Sequence, residues 1–145
     1  MSPERLWRLS AALWRRGHRR LAMLVKRINS TIYHNSLAPN VVFSRDVQFR
    51  HHGFGTVIHA NVDIGERVII YQNVTIAVHA ATASPHRIVI EDDVSIGASS
   101  VIIAPANQSL LIGRGARIGA GAVVAEDVPA GATVVSASPR IIPPR

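Results

Sequence analysis

No cysteine occurs in the 145 residues, which removes disulfide staples, thiolate nucleophiles and thiolate metal ligands together. Aromatic residues make up only 5% of a chain that is 48% hydrophobic, so the core has to be built from aliphatic side chains. No run of about 18 uncharged apolar residues exists, and no membrane-spanning helix is expected. Acidic residues are missing from a long leading stretch: after Glu4 the next is Asp46. Over the same stretch fall Arg5, Arg8, Arg15, Arg16, Arg19, Arg20, Lys26 and Arg27. The formal charge of +7 therefore belongs to this segment, and the remainder is balanced. A nucleic-acid partner would call for cations on the body of the protein, interleaved with aromatics that stack on bases; that pattern is absent and no such partner is expected. The apolar runs of the leading segment are broken by arginines, with no small-residue cleavage site after them, so it does not read as a signal peptide. With cysteine lacking as well, the expected location is cytoplasmic.

What is present is a period of six. Aliphatic residues recur at Ile58, Ile64 and Ile70, then at Ile90, Ile96 and Ile102, then at Ile112, Ile118 and Val124. Four positions after each, leaving aside Ile102, where the period breaks, comes a small or β-branched residue: Val62, Val68, Val74, Val94, Ser100, Ala116, Ala122 and Val128, with Val134 closing the series. Neither helical periodicity nor strict alternation produces this spacing; a hexapeptide solenoid does, with three short strands closing a triangular coil and coils stacking on one another. Each buried anchor is worth about 1.5–3 kcal/mol. A looser repeat (Val41, Val47) leads in. The period breaks over 78–87 and over 104–109, where loops are expected to leave the repeat. Before it, residues 4–16 and 19–32 read as two amphipathic helices separated by Gly17, with Leu6, Leu9 and Leu13 on one and Leu21, Leu24, Val25, Ile28 and Ile32 on the other. The chain thus divides into a basic helical segment, 1–35, and a solenoid, 36–145. The helices either pack on the solenoid or a neighbouring subunit, or, with arginines opposite Leu and Trp, make a peripheral contact with an anionic membrane through residues 1–32.

Five of the seven histidines fall between His51 and His86. With no cysteine and no serine in a nucleophile-elbow motif, the economical chemistry is a histidine base that deprotonates an acceptor hydroxyl, since an imidazole of ordinary pKa near 6.5 can take a proton at neutral pH. His52 stands in Arg50-His-His-Gly-Phe-Gly55, where the glycines permit a close turn and the approach of a ligand.

The segments His52-Gly-Phe-Gly-Thr-Val-Ile-His59, Val68-Ile-Ile-Tyr-Gln-Asn-Val-Thr75, Ile96-Gly-Ala98, Ile112-Gly-Arg-Gly-Ala-Arg-Ile-Gly-Ala-Gly-Ala-Val-Val124 and Asp127-Val-Pro129 resemble the serine acetyltransferase branch of the hexapeptide acyltransferases, in particular the short members of exopolysaccharide and capsule clusters. The resemblance covers about residues 40–145. It implies a left-handed parallel β-helix that forms a homotrimer and takes acetyl-CoA as co-substrate in the groove between subunits, with no metal. It puts the catalytic base on His52. A second active-site histidine, in an Arg-His-Pro loop of the family, has its nearest counterpart in Pro85-His86-Arg87, so His86 and Arg87 become candidate acceptor-binding residues. Ala98 and Ala120 match corners whose backbone meets the coenzyme, and Arg117 and Arg140 match basic residues near its phosphate end.

The chain also departs from that pattern. An aspartate directly precedes the family's catalytic histidine; here His51 stands there and becomes a candidate acceptor contact. The upstream region that carries an orienting acid reads Asn35-Ser-Leu-Ala. A base needs an orienter, so Asp46, Asp63 or His51 is expected to serve, or His59 is the base. These departures favour a saccharide hydroxyl over L-serine as acceptor. A zinc enzyme of the γ-carbonic anhydrase type would need a histidine where Ala98 stands, and a non-catalytic scaffold would need no chemistry at His52.

Overall fold

Residues 2–79, 81, 83–138 and 142 are described in the computed structural model. Helix α1 (Pro3–Arg15) and helix α2 (Arg19–Tyr33) precede a series of short strands. These form three parallel sheets. The first stacks β1 (Ser36–Leu37), β4 (Val57–Ile58), β7 (Thr75–Val78), β10 (Val101–Ala104) and β13 (Val123–Val124). The second stacks β2 (Val42–Phe43), β5 (Val62–Ile64), β8 (Ile88–Ile90) and β11 (Leu110–Ile112). The third stacks β3 (Gln48–Phe49), β6 (Ile69–Ile70), β9 (Ser95–Ile96), β12 (Arg117–Ile118) and β14 (Thr133–Val134). From β1 to β13 successive strands visit the three sheets in turn, and the last coil meets the second sheet only through an isolated bridge between Ile112 and Val128. The registers align like positions, as in Ile58 against Ile76 and Ile70 against Ile96. This is a left-handed parallel β-helix of about four coils.

The six-residue period marks the interior. Ile58, Ile70, Ile90, Ile96, Ile102 and Ile112 are buried, and so are Val62, Val68, Val74, Val94, Ser100, Ala116, Ala122 and Val128 at the small-residue positions. Seven corners are two-residue turns whose second residue takes a left-handed backbone: Arg67, Asn73, Asp93, Ser99, Gly115, Gly121 and Gly131. Polar residues and glycine tolerate that conformation, so the corner points outward while the small residue beyond it faces in. The loops are shorter than the broken period indicated. Val78 completes β7 and Ala104 completes β10, both buried, so the described residues outside any strand are His79, Ala81 and 83–87 in the first break and 105–109 in the second.

The helices begin and end within a residue of the expected bounds, but they pack differently. Ser2 caps α1 by accepting from the Arg5 N–H (3.4 Å), with Pro3 in the first turn. The helix buries Leu6, Trp7, Ser10 and Ala11, while Leu9 stays 47% exposed. Trp7 belongs to the solenoid core: its ring stacks on Phe43 at 3.9 Å and its Nε1–H donates to the Ala38 carbonyl (2.8 Å). Helix α2 turns back at Gly17 and meets α1 through small and polar residues. Ser10 Oγ donates to the Ala22 carbonyl (2.8 Å), and Asn29 Nδ2 donates to the Pro3 carbonyl (3.2 Å). Leu21, Leu24, Ile28 and Ile32 of α2 face outward and stay exposed.

Candidate active site

His52 lies in a 3₁₀ turn, Arg50–Gly53, at the corner between the third and first sheets. Three successive residues there have left-handed backbones: His51 (φ 50°), His52 (φ 58°) and Gly53 (φ 57°). A non-glycine residue pays about 1–2 kcal/mol for this conformation, and such strain persists only where the surroundings impose it. They do so here. Phe49 N–H donates to the Glu4 carboxylate (3.0 Å), Phe54 N–H to the His51 carbonyl (3.3 Å) and Asn73 N–H to the Phe54 carbonyl (2.7 Å). A Cβ on Gly53 would meet the Phe49 side chain at 2.8 Å, and one on Gly55 would sit 2.0 Å from Asn73 Oδ1. Both histidine rings are presented on the surface: His52 against Tyr33 (centroids 5.8 Å, 29° between planes), His51 toward Tyr71 (6.3 Å). The helical segment therefore furnishes one wall of the His52 site through Tyr33 and anchors its entry through Glu4.

The corner carrying His52 continues through the coils above. Ser99 N–H donates to the Gln72 carbonyl (3.0 Å) and Gly121 N–H to the Ala98 carbonyl (2.9 Å), so His52, Gln72–Asn73, Ala98 and Ala120 stack along one edge, each coil roughly 5 Å from the next. That edge is smooth. A side chain at Gly121 would meet nothing within 4 Å, and Gly97 packs so closely on the Gly119–Ala120 backbone that a Cβ would lie 2.6 Å from Ala120 N. An extended chain of atoms can lie along such an edge with peptide groups beside it. Arg117 is exposed on the outer face of the third sheet, between Ser95 and Thr133. Arg140 lies outside the described residues.

His59, His86 and Arg87 occupy the other end of the first sheet, at its corner with the second. Asn61 organises this corner. Its Nδ2 donates to the carbonyls of Ala81 (3.2 Å), Ser84 (3.3 Å) and His86 (3.2 Å), and its backbone N–H donates to His59 Nδ1 (3.2 Å). With Nδ1 accepting, the neutral His59 ring carries its proton on Nε2. Arg87 makes a bidentate pair with Asp63 (2.5 and 2.6 Å) on the outer face of the second sheet. Asp46 accepts from Ser44 Oγ (2.6 Å) at the corner between the second and third sheets. Both carboxylates expected as orienters of His52 are thus engaged elsewhere.

The candidates accordingly form two groups. His51, His52, Ala98 and Ala120 share one corner; His59, His86 and Arg87 share another, separated by the width of the first sheet, roughly 15–20 Å. Between them runs an apolar face with exposed Val57, Ile103 and Val123, and a hollow of about 400 Å³ bounded by Ala77, Val78, His79, Ile103, Ala104 and Pro105. Among the described residues no cluster of three His, Asp or Glu side chains could hold a metal ion. Sequence reasoning did not single out Tyr33, Glu4 or Asn61. Apart from the contact of Asn61 with His59, their partners lie 19 to 45 residues away, so no local spacing announces them.

No protein-family model matches the chain. Among curated proteins, it is 32% identical over 135 residues to a serine acetyltransferase of Bacillus licheniformis, covering 93% of this chain and 60% of that protein. Among solved structures, soybean serine acetyltransferase complexed with serine superposes with a TM-score of 0.81 at 29% identity, over 94% of this chain and 54% of that one. A Brucella abortus serine acetyltransferase in complex with coenzyme A gives 0.81 at 25% identity, over 95% and 53%. The chain spans between about half and 60% of the length of these relatives.

Proposed function

We propose that this serine acetyltransferase-like hexapeptide-repeat protein is an acetyl-CoA-dependent O-acetyltransferase, with His52 as general base. The observation that carries the reading is the strained corner itself: an exposed imidazole held on three consecutive left-handed residues, at one end of a smooth edge formed by Ala98 and Ala120. Acetyl-CoA would supply an acetyl group activated as a thioester. Its extended arm suits an edge without side-chain obstruction, and the exposed Arg117 nearby suits its phosphates. His52 takes the proton of the acceptor hydroxyl as that oxygen attacks the acetyl carbonyl carbon, and the imidazolium then returns the proton to the departing sulfur. Tyr33 restricts the ring's orientation by stacking. His59, with its proton on Nε2, is fitted to donate a hydrogen bond to substrate and not to abstract a proton.

The comparisons favour L-serine as acceptor over the saccharide hydroxyl that the sequence suggested, because the similar proteins are serine acetyltransferases. A saccharide stays as the second reading on one observation: a neutral or cationic side chain, His51, occupies the place where the resemblance calls for aspartate, and Asp46 and Asp63 are bound elsewhere. We further propose that the working unit is a homotrimer. The His52 corner and the His86 corner lie at opposite ends of one sheet, and a second copy packed on the apolar first sheet is the means of bringing them together.

The test is thiol release from acetyl-CoA with L-serine and, separately, a panel of sugars. Release with serine supports the main reading; release with a sugar and none with serine supports the second. Coenzyme A release with neither acceptor, at enzyme concentrations that would reveal a turnover of once per hour, rejects the catalytic proposal.

A further inference from the structure

A stripe of large apolar side chains on α2 stands exposed among the described residues. Leu21, Leu24, Ile28 and Ile32 are 53%, 54%, 43% and 56% exposed. Their spacing of three, four and four places them on one helical face. The surface buried against α1 is a different one, marked by Ala22 and Asn29. Isolated exposed aliphatics need no explanation, but a contiguous stripe marks a contact surface.

We infer that this face of α2 docks in the plane of an anionic lipid surface. Arg20 and Arg27 follow one flank of the stripe, and Arg19, Arg20 and Arg27 with Met23 and Leu24 bound an open hollow of about 450 Å³. No acidic residue occurs from Arg5 to Arg45, and the one acid before them, Glu4, is turned inward to the Phe49 N–H. The stripe and its flank thus combine an aliphatic surface with uncompensated cations, the combination that an interface of acyl chains and anionic headgroups complements. A second copy fits less well. Pairing two α2 faces would bring the same arginine-rich flanks together, and like charges oppose such a contact. A nucleic acid would match the arginines and leave the aliphatic stripe in water. The helix is 15 residues long, about 22 Å, short of the roughly 30 Å of a bilayer core, so it lies along the surface and does not cross it. No helix of the described residues is long and apolar enough to span a membrane.

The inference is independent of the acyltransferase reading and is tested by flotation of the full chain with two vesicle compositions, pure phosphatidylcholine and phosphatidylcholine with 30% phosphatidylglycerol as the anionic lipid, a composition of about one charge in three headgroups. The protein is expected to float with the anionic vesicles alone, and less as salt rises. The exposed double variant R20Q/R27Q should weaken partitioning about fivefold for each arginine removed. The variant L24S/I28S should abolish flotation with no change in thermal melting, because neither side chain enters the core. Flotation with neither composition, equal flotation with both, or unaltered flotation of R20Q/R27Q overturns the proposal. So does a fall in oligomer mass on L24S/I28S by sedimentation, which would make the stripe a contact between copies, or retention on single-stranded DNA of a protein that binds no vesicles.

Discussion

His52 is set apart by its backbone before its chemistry. Histidine is one of the few residue types enriched in the left-handed region, and two of them stand there side by side, followed by a glycine whose Cβ would collide with Phe49. This arrangement makes alanine a poor probe, since it would remove the ring and add backbone strain together. Asparagine adopts the same backbone readily. His52→Asn is therefore expected to lower turnover by about 10²–10⁴-fold while the melting temperature stays within error of the parent. A variant that keeps its full rate would move the base elsewhere. The histidine and its glycines could be read from the sequence because they are contiguous. The ring of Tyr33 and the carboxylate of Glu4 could not, because stacking and a side-chain bond to Phe49 N–H arise only when α1 and α2 fold back on the first coil.

Elements are specified unequally by their patterns. The coils were legible because every sixth residue must fill the same interior volume, and a register error would expose a whole column of Ile and Val. The helical hairpin was legible in its limits and misleading in its faces. Leu9 and Leu13 looked like the core side of α1, yet close approach of α1 and α2 selects the small residues Ser10, Ala11 and Ala22. The loop from His79 to Arg87 depends on one buried side chain, since Asn61 holds three of its carbonyls. Asn61→Ala would leave those carbonyls without that donor. The expected result is faster proteolysis and amide exchange confined to this loop and to Leu110, whose N–H is held by the Arg87 carbonyl. Protection that collapses across all coils would show instead that Asn61 supports the core. Along another corner, Arg67 bonds Asp93 (2.6 and 3.0 Å) and Glu66 (2.8 Å). The hydrogen bond from Arg67 holds the Asp93 carboxyl below its usual value, and the Ser44 hydroxyl does the same for Asp46. A carboxyl whose folded pKa is depressed stabilises the fold above its unfolded pKa and loses that contribution as pH falls through the folded one. Melting temperature should thus be insensitive to these groups between about pH 5 and 7 and decline below about pH 4. Asp93→Asn should make the decline shallower; an unchanged slope would show that the exposed pair contributes nothing measurable.

At the scale of the molecule, the two groups of candidate residues make a prediction that no single prism can satisfy. A rigid solenoid cannot bend His86 toward His52, because both sit on corners fixed by stacked turns and parallel ladders. If catalysis uses both corners, each site takes one corner from each of two neighbouring copies, and the defects of two inactive variants can compensate. His52→Asn disables one corner and His86→Ala the other. Each variant alone is expected to be inactive or nearly so. Unfolded and refolded together in equal amounts, they should produce mixed trimers in which roughly a quarter of the interfaces pair two intact corners. Thiol release would then recover toward that fraction of the parent rate, while mixing the folded variants without exchange of subunits would recover nothing. A His86→Ala variant that keeps the parent rate would place all the chemistry on the His52 corner, and mixed trimers that stay as inactive as their parents would rule out a site shared between copies. A single chain that is monomeric in solution and fully active would lead to the same conclusion, and would leave the apolar first sheet as a surface with another purpose.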